Sequence, residues 1–125
     1  MATVKEDYVS SEIAKLLEEK GFNEPCLNYY KDSKLRRYFR EVTNKEWGTS
    51  GNISAPTLWV TMKWLRKKYN INIDVFSIWN KIRWEYQIFI ITPTTSQRPY
   101  VDDKLYMEKE KAVEAAIKHC LENLI

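Results

Sequence analysis

The sequence predicts an α+β fold whose elements follow in the order α-β-β-α-β-β-(β)-α. Three segments have apolar residues at helical spacing: residues 10–20, residues 54–69 and the last stretch from Glu108. Between them lie four segments with the alternation, or the β-branched and aromatic residues, typical of strands. We therefore expect three helices packed on a mostly antiparallel sheet of four to five strands, in a single domain spanning residues 1–125.

The composition is that of a globular protein rather than a disordered or membrane-spanning one. Apolar residues make up 44% of the chain, and no apolar run approaches the length of about 20 residues that a bilayer requires. The first residues are polar and lack the apolar segment of a secretory signal. We therefore expect a cytoplasmic protein without a membrane partner. In that reducing compartment, Cys26 and Cys120 are expected to be buried thiols rather than a disulfide.

The first predicted helix has recognisable signals at both ends. Ser10 is a suitable N-cap, and Gly21 is a common stop just after the last turn. These signals bound a helix over residues 10–20. Phe22 is expected to fold back onto the last turn of that helix.

A β-hairpin is predicted next, with strands Cys26–Lys31 and Leu35–Glu41 joined by the turn Asp32–Ser33. Alternation sends neighbouring side chains to opposite faces of such strands. The predicted core face comprises Leu27, Tyr29, Leu35 and Phe39. The predicted opposite face comprises Tyr30, Arg36, Tyr38 and Arg40. Unless a helix covers it, this aromatic and basic face is suited to binding.

Residues 43–53 are predicted to be a connecting loop. The run Gly48–Gly51, placed before a helix, would alternatively present backbone N–H groups to an anion. The phosphate-loop pattern GxxxxGK[ST] is absent, so the connecting loop is the favoured interpretation.

The central helix, Ser54–Tyr69, has the densest positive charge in the chain. Ser54 is the expected N-cap, and Pro56 lies in the first turn. The expected core face comprises Leu58, Met62, Leu65 and Tyr69, and a second stripe comprises Trp59, Lys63 and Arg66. Trp64 is placed on the other flank. If Trp59 is more than about half exposed and has no cation beside it, it becomes the first candidate for a binding residue.

The last third of the chain predicts two more strands and a helix. Ile71–Phe76 and Arg83–Thr92 are the strands, with a turn at Trp79–Lys81 between them. A polar loop, Pro93–Pro99, leads to a short edge strand at Tyr100–Val101. The final helix has an apolar stripe of Val113, Ala116, Ile117, Cys120, Leu121 and Leu124.

Positive charge is concentrated in the middle of the chain. The formal net charge is +3, but residues 31–83 contain twelve basic and four acidic residues, with acidic segments on both sides. Two interpretations follow. Acidic helices neutralise the basic block in the folded chain, which we favour, or the block forms a face for phosphate groups.

The sequence contains no constellation expected of an enzyme or a metal site. The single histidine, His119, projects about 100° away from its neighbour Cys120 on a helix, and Asp102–Asp103 lie in a polar segment. No cluster has metal-ligand spacing, and no nucleotide-binding signature is present. We therefore expect a non-enzymatic protein with no cofactor and no metal.

Three phrases, in this order, carry a resemblance along nearly the whole chain. They are EIAKLLEEKGFNEPC, ISAPTLWVTMKWLRKKYNI and EAAIKHCLENL. The chain resembles a family of small uncharacterised proteins found in gut anaerobic bacteria and in their phages or mobile elements. The resemblance implies a compact accessory protein, and it supplies no activity and no functional residues.

The expected function is therefore binding. We expect a protein partner or a second copy of the chain, and the alternative is a nucleic acid held by a basic and aromatic face. The RNP1 pattern is absent, which lowers the weight of the RNA alternative. The candidate binding surface comprises Tyr30, Arg36, Tyr38, Arg40, Trp59, Lys63 and Arg66.

Overall fold

The computed structural model describes residues 7–78, 83–91, 100–101 and 105–125. It confirms a mixed α+β fold. The chain divides into two compact units, with the boundary between Thr57 and Leu58. We call them the N-terminal unit and the C-terminal unit. That residues 1–125 form one domain stays a prediction.

The N-terminal unit contains two helices and a three-stranded antiparallel sheet within its described part. The elements are α1 (Ser11–Glu19), β1 (Cys26–Lys31), β2 (Lys34–Val42), α2 (Asn44–Trp47) and β3 (Ile53–Ser54). The strand order is β2-β1-β3, so β2 lies at one edge of this sheet. Neither α2 nor β3 was predicted, because both fall at the ends of the segment interpreted as a loop.

Both predicted ends of α1 are confirmed. The Ser10 side chain accepts a hydrogen bond from the Ile13 backbone N–H at 3.2 Å, which is a standard N-cap. After the helix, Gly21 has a positive φ of 85°, and the Phe22 N–H donates to the Leu17 carbonyl at 2.9 Å. This is a Schellman ending, and it buries Phe22 as expected.

The β1–β2 turn is where predicted, and its geometry corrects the face assigned to Tyr30. Asp32 and Ser33 both have positive φ, as in the type I′ turn favoured by two-residue hairpins. The register pairs Tyr30 with Leu35 and Tyr29 with Arg36. Residues directly opposite each other share a face, so Tyr30 lies on the face away from Arg36.

The predicted core face of β2 is wrong. Leu35 and Phe39 are 43% and 81% exposed, whereas Tyr38 is half-buried. The pairing with β1 jumps from Asn28↔Arg37 to Cys26↔Val42, so β2 has extra residues in an irregular stretch. Such a bulge ends simple alternation beyond Arg37, which explains the wrong face for Phe39. Leu35 lies before the bulge and is exposed as well.

The C-terminal unit contains two long helices and a second antiparallel sheet, instead of sharing one sheet with the first hairpin. Its described elements are α3 (Leu58–Tyr69), β4 (Ile71–Ile78), β5 (Arg83–Ile90), β6 (Tyr100–Val101) and α4 (Lys109–Asn123). The strand order is β4-β5-β6. In place of the predicted single sheet of four to five strands, the described residues form two sheets of three strands each.

The pairing of β4 with β5 is unbroken from Ile71↔Ile90 to Ile78↔Arg83. The two long helices of this unit pack against these strands. Ile71, Tyr86 and Ile88 share one face of this pair and are buried. On the other face Asp74 and Phe76 are exposed.

Helix α3 begins four residues later than predicted. Ser54 is not an N-cap, because it lies in β3 and its hydroxyl donates to the Val42 carbonyl at 3.3 Å. The Ala55 N–H donates to the Asn28 carbonyl, and the Pro56 carbonyl accepts from the Val9 N–H. These backbone groups are engaged in extended pairing, so no helical turn forms there.

The buried face of α3 is rotated relative to the prediction. The buried residues are Leu58, Thr61, Trp64 and Leu65, while Met62 and Tyr69 are half-buried. Trp64 is therefore a core residue, although it was placed on a flank. For α4 the predicted stripe is confirmed from Val113 to Leu121, and Leu124 is half-buried.

Several predictions fall outside the described residues: the turn at 79–81, the loop at 93–99 and the carboxylates Asp102 and Asp103. Among the helices that are described, none combines the length and the apolar character that crossing a membrane would need.

Candidate functional site

The structure divides the predicted binding surface between the two units. Tyr30, Arg36, Tyr38 and Arg40 belong to strands of the N-terminal unit, whereas Trp59, Lys63 and Arg66 lie on α3 of the C-terminal unit. Each group is therefore described separately.

The N-terminal unit has an aromatic cluster beside β2, which we call the hairpin cluster: Tyr29, Tyr38, Phe39, Arg40 and Trp47. The Trp47 ring centroid lies 4.9 Å from that of Tyr29 and 5.1 Å from that of Tyr38. The Tyr38 ring contacts the Phe39 ring at 4.4 Å, and the Arg40 guanidinium carbon lies 6.0 Å from the Tyr38 centroid. Edge-to-face and tilted contacts of this kind fix the relative orientation of the rings.

Helix α2 positions Trp47 in this cluster. Thr43 and Glu46 form a capping box, in which the Thr43 hydroxyl accepts from the Glu46 N–H and the Glu46 carboxylate accepts from the Thr43 N–H. The Asn44 amide nitrogen donates to the Phe22 carbonyl at 2.9 Å, and its oxygen accepts from the Ser54 N–H at 2.8 Å. These bonds hold a helix of one turn that would not persist alone.

The Thr43-x-x-Glu46 spacing is the one signal in the sequence that points to Trp47, because it is the pattern of a capping box. The sequence-based prediction overlooked it by treating residues 43–53 as a loop. The alternative of an anion site at Gly48–Gly51 loses its basis, because a strand and not a helix follows Gly51.

The cluster contains one exposed ion pair. Arg40 contacts Glu46 at 3.1 Å. The hydrogen bond from the Thr43 backbone lowers the pKa of Glu46, and the bond from Arg40 lowers it further. Glu46 therefore connects the α2 cap to the side chain of Arg40.

The most unusual member of the cluster is Phe39, which is 81% exposed. Burying a phenylalanine side chain stabilises a protein by about 2 kcal/mol. Because Phe39 is exposed, it does not contribute this stabilisation to the folded chain. Exposed arginines, Arg36, Arg37 and Arg40, lie on the same strand. Exposed aromatic residues among arginines have the composition of the central part of protein interfaces.

Tyr30 does not belong to this surface. It is half-buried, and its hydroxyl donates to the Val9 carbonyl at 2.6 Å. This bond ties the segment before α1 to β1. Tyr30 is therefore better explained as a structural residue.

On α3, Trp59 is 66% exposed, but a cation does lie beside it. The Lys109 ammonium is 5.8 Å from the Trp59 ring centroid and 5.7 Å from that of Trp84. The expected cations were Lys63 and Arg66 of the same helix, and the one observed comes from the start of α4. Trp59 therefore meets the condition of exposure but not that of lacking a cation contact.

The remaining charges of α3 form a basic face. Lys63, Arg66 and Lys67 are exposed, and no ion pair to any of them is found within the described ranges. Lys68 lies over the Trp64 and Tyr69 rings at 5.3 Å and 5.8 Å. The basic residues of this helix therefore have no acidic side chain within ion-pair distance among the described residues.

The thiols are unsuited to nucleophilic chemistry. Cys26 and Cys120 are buried and free, as predicted. Burial raises the pKa of each thiol to about 12, and the carboxylates of Glu41 and Glu24 add to the shift at Cys26. A protonated thiol is a poor nucleophile and a poor metal ligand. No group of three or more metal-binding side chains is arranged around a common point in the part of the chain that is described.

The chain matches no protein-family model, no curated protein and no solved structure in comparisons with all three. Function is therefore inferred from the exposed aromatic and basic side chains themselves.

Proposed function

We propose that this chain is a non-enzymatic binding domain that engages another protein through the hairpin cluster and strand β2. The observation that supports this proposal is the exposure of Phe39 beside Tyr38 and three arginines. A large apolar side chain held in the open by packed neighbours loses little conformational entropy when a partner covers it. Such a residue is the type that dominates binding free energy in protein interfaces.

The proposal includes the cellular setting. Two free buried thiols suit a reducing compartment such as the cytoplasm. We further propose that the chain is an accessory protein of the phage or mobile-element type, in which a small domain acts by occupying a partner's surface.

The test compares two phenylalanine variants, Phe39→Ser and the matched control Phe76→Ser. Phe76 is also an exposed phenylalanine on a strand, but it lies on β4 in the other unit. Each tagged variant is used to recover proteins from cells of the source organism, and recoveries are quantified by mass spectrometry. We expect one protein whose recovery falls about tenfold with Phe39→Ser and is unchanged with Phe76→Ser, since a central aromatic residue contributes about that factor or more.

Self-association is tested by sedimentation of the purified chain, comparing the wild type with Phe39→Ser. A dimer that Phe39→Ser dissociates would identify the partner as a second copy. If Phe39→Ser folds normally, changes no protein's recovery and leaves a monomer as it was, the proposal is wrong.

Nucleic-acid binding is the second candidate, and the basic face of α3 favours it. Lys63, Arg66 and Lys67 are exposed on the helix that also carries Trp59, and 66% of Trp59 is exposed. Exposed aromatic rings near cationic side chains are the usual means of holding single-stranded nucleic acid. The measurement is fluorescence anisotropy with a labelled single-stranded oligonucleotide. Affinity is expected to fall steeply as salt is added, and Lys63→Ala and Arg66→Ala are each expected to reduce the salt dependence.

The matched control is Lys15→Ala, which removes an exposed lysine from another helix, α1. No binding at low salt would rule this candidate out. Equal effects of Lys15→Ala and Lys63→Ala would show that the basic face of α3 is not the site.

A further inference from the structure

Strand β2 has one edge that no described strand occupies. In the sheet order β2-β1-β3 it pairs with β1 alone. Along its nine residues only Val42 is buried and only Tyr38 is half-buried. A free strand edge presents unpaired backbone N–H and C=O groups, which are a template for another extended segment.

The charge of β2 indicates what kind of segment fits. The strand contains Lys34, Arg36, Arg37 and Arg40 against one acidic residue, Glu41. Only Arg40 of these forms an ion pair within the described ranges, and that pair is exposed. Lys34, Arg36 and Arg37 are thus open to an acidic partner.

A second copy of β2 is a poor occupant of the same edge. Pairing two such strands would bring lysine and arginine side chains opposite one another, and like charges facing across strands destabilise the pair. Basic side chains and bulges are also common devices that prevent a strand edge from pairing with its own copy. These features oppose a β2–β2 dimer while leaving the edge open to a strand of opposite charge.

The bulge defines which part of β2 is regular. Pairing with β1 is continuous from Lys34 to Arg37 and then becomes irregular. Phe39 follows directly, with its ring exposed and held against Tyr38. An incoming strand would therefore meet a regular basic stretch first and an apolar ring at its end.

We propose that β2 binds an extended acidic segment of a partner protein by strand addition, with Lys34–Arg37 as the paired stretch and Phe39 covering an apolar side chain of that segment. This inference rests on the proposed protein-binding function and names its partner class. Backbone hydrogen bonds supply affinity, and carboxylates at alternate positions of the segment, opposite Lys34 and Arg36 on one face of the strand, supply specificity.

The test uses the full chain and three labelled peptides of about eight residues, the length of an ordinary strand. The first alternates glutamate and valine, the second alternates glutamate and proline, and the third alternates lysine and valine. The glutamate–proline peptide has the charge of the first but cannot donate the backbone hydrogen bonds of a ladder, because proline lacks the N–H. Affinities are measured by fluorescence anisotropy, and the backbone amides are followed by NMR hydrogen exchange.

We expect the glutamate–valine peptide to bind about tenfold more tightly than either of the others, since both charge and backbone pairing favour it. Amides of Lys34–Arg37 are expected to become protected, and amides of β4 to stay unchanged. The charge reversal Lys34→Glu/Arg36→Glu should weaken binding of this peptide by about tenfold or more and strengthen binding of the lysine–valine peptide. Both positions are exposed, so the variant is expected to fold.

Three results would overturn the inference. If the glutamate–valine and glutamate–proline peptides bind with equal affinity, the chain attracts them by charge alone and no backbone pairing takes place. Displacement of the bound peptide by a single-stranded oligonucleotide that binds more tightly would show a nucleic-acid surface. Failure of all three peptides to protect β2, while Phe39→Ser still abolishes recovery of a protein partner, would reject strand addition and leave the proposed function standing.

Discussion

Strand pairs β1–β2 and β4–β5 are of similar length, yet they use their side chains in opposite ways. In β4–β5 the register is unbroken and one face is buried, with Tyr86 and Ile88 almost fully covered. In β1–β2 the register jumps after Arg37, and β2 is exposed along nearly all its length. Uninterrupted alternation gives β4 and β5 a continuous apolar face on which helices can pack. Arginines placed among aromatic residues give β2 no such face, so the strand stays exposed. The C-terminal unit thus has the better-covered sheet, and the N-terminal unit the more open surface.

The largest expected difference between the two pairs concerns stability. Ile88→Ala on β5 removes a side chain that is 1% exposed, and it should lower the free energy of unfolding by about 2–4 kcal/mol. Phe39→Ala on β2 should change it by less than about 0.5 kcal/mol, because an exposed ring loses little packing. Urea unfolding of both variants measures the contrast. Comparable losses would mean that β2 is covered in solution.

A smaller loss of stability is expected from substitution of Trp47. This substitution tests whether the aromatic contacts of the exposed hairpin stabilise it. Its indole N–H is buried and has no hydrogen-bond partner among the described residues. Trp47→Ala should cost about 2 kcal/mol of unfolding free energy, since a half-buried ring loses less than a fully buried one. Trp47→Phe keeps a ring and removes the unpaired donor, so it should recover at least half of that loss. If both variants unfold alike, the ring contacts with Tyr29 and Tyr38 contribute little.

The Lys109 contact provides a corresponding test in the C-terminal unit. Lys109→Met keeps most of the apolar stem and removes the cation between Trp59 and Trp84, so it should cost about 0.5–1 kcal/mol. Lys111→Met is the control, since it removes an exposed lysine two residues further along α4 whose 3.7 Å contact with Glu114 lies at the surface and contributes little. Thermal unfolding followed by tryptophan fluorescence measures the stability of both variants. An equal effect of the two variants would indicate only a general loss of charge.

The smallest expected effect is a pH dependence at the α2 cap. The folded pKa of Glu46 lies below its unfolded value, so its contribution is present above the unfolded pKa and is lost as the pH falls through the folded pKa. Glu46→Gln removes the ionisation and serves as the reference. The stability difference between wild type and Glu46→Gln should be greatest at neutral pH and should shrink in acid. A difference that does not change with pH would show that the carboxylate charge is not involved.

The sequence predicted best where one physical signal dominates. The caps of α1, the turn at Asp32–Ser33 and the buried stripe of α4 depend on local rules, and the structure confirms them. The start of α3 was missed because Ser54 and Pro56 satisfy helix rules equally well. The pairing of Ser54 with Tyr29 and the hydrogen bond from the Val9 N–H to the Pro56 carbonyl are tertiary contacts that local propensity does not contain.

The candidate site was predicted only in part for the same reason. Arg40 lies over the Tyr38 ring, but Phe39 was assigned to the core because a bulge cannot be read from hydrophobic periodicity. Trp47 enters the cluster through the short helix α2, whose capping box was present in the sequence and not used. The division of the surface between two units depends on which strands pair, and pairing is non-local.

Hydrogen bonds of the N-terminal unit join residues far apart along the chain. Asn44 bonds to the Phe22 carbonyl across 22 positions, and Tyr30 bonds to the Val9 carbonyl across 21. Each bond requires closure of a long loop before it contributes any stability, and contacts of large sequence separation slow folding. We therefore expect Trp47 to reach its native environment late in refolding, after α1 and the two-residue turn of the hairpin have formed. The binding surface would then be assembled only when the N-terminal unit completes its folding, which restricts recognition to the finished protein.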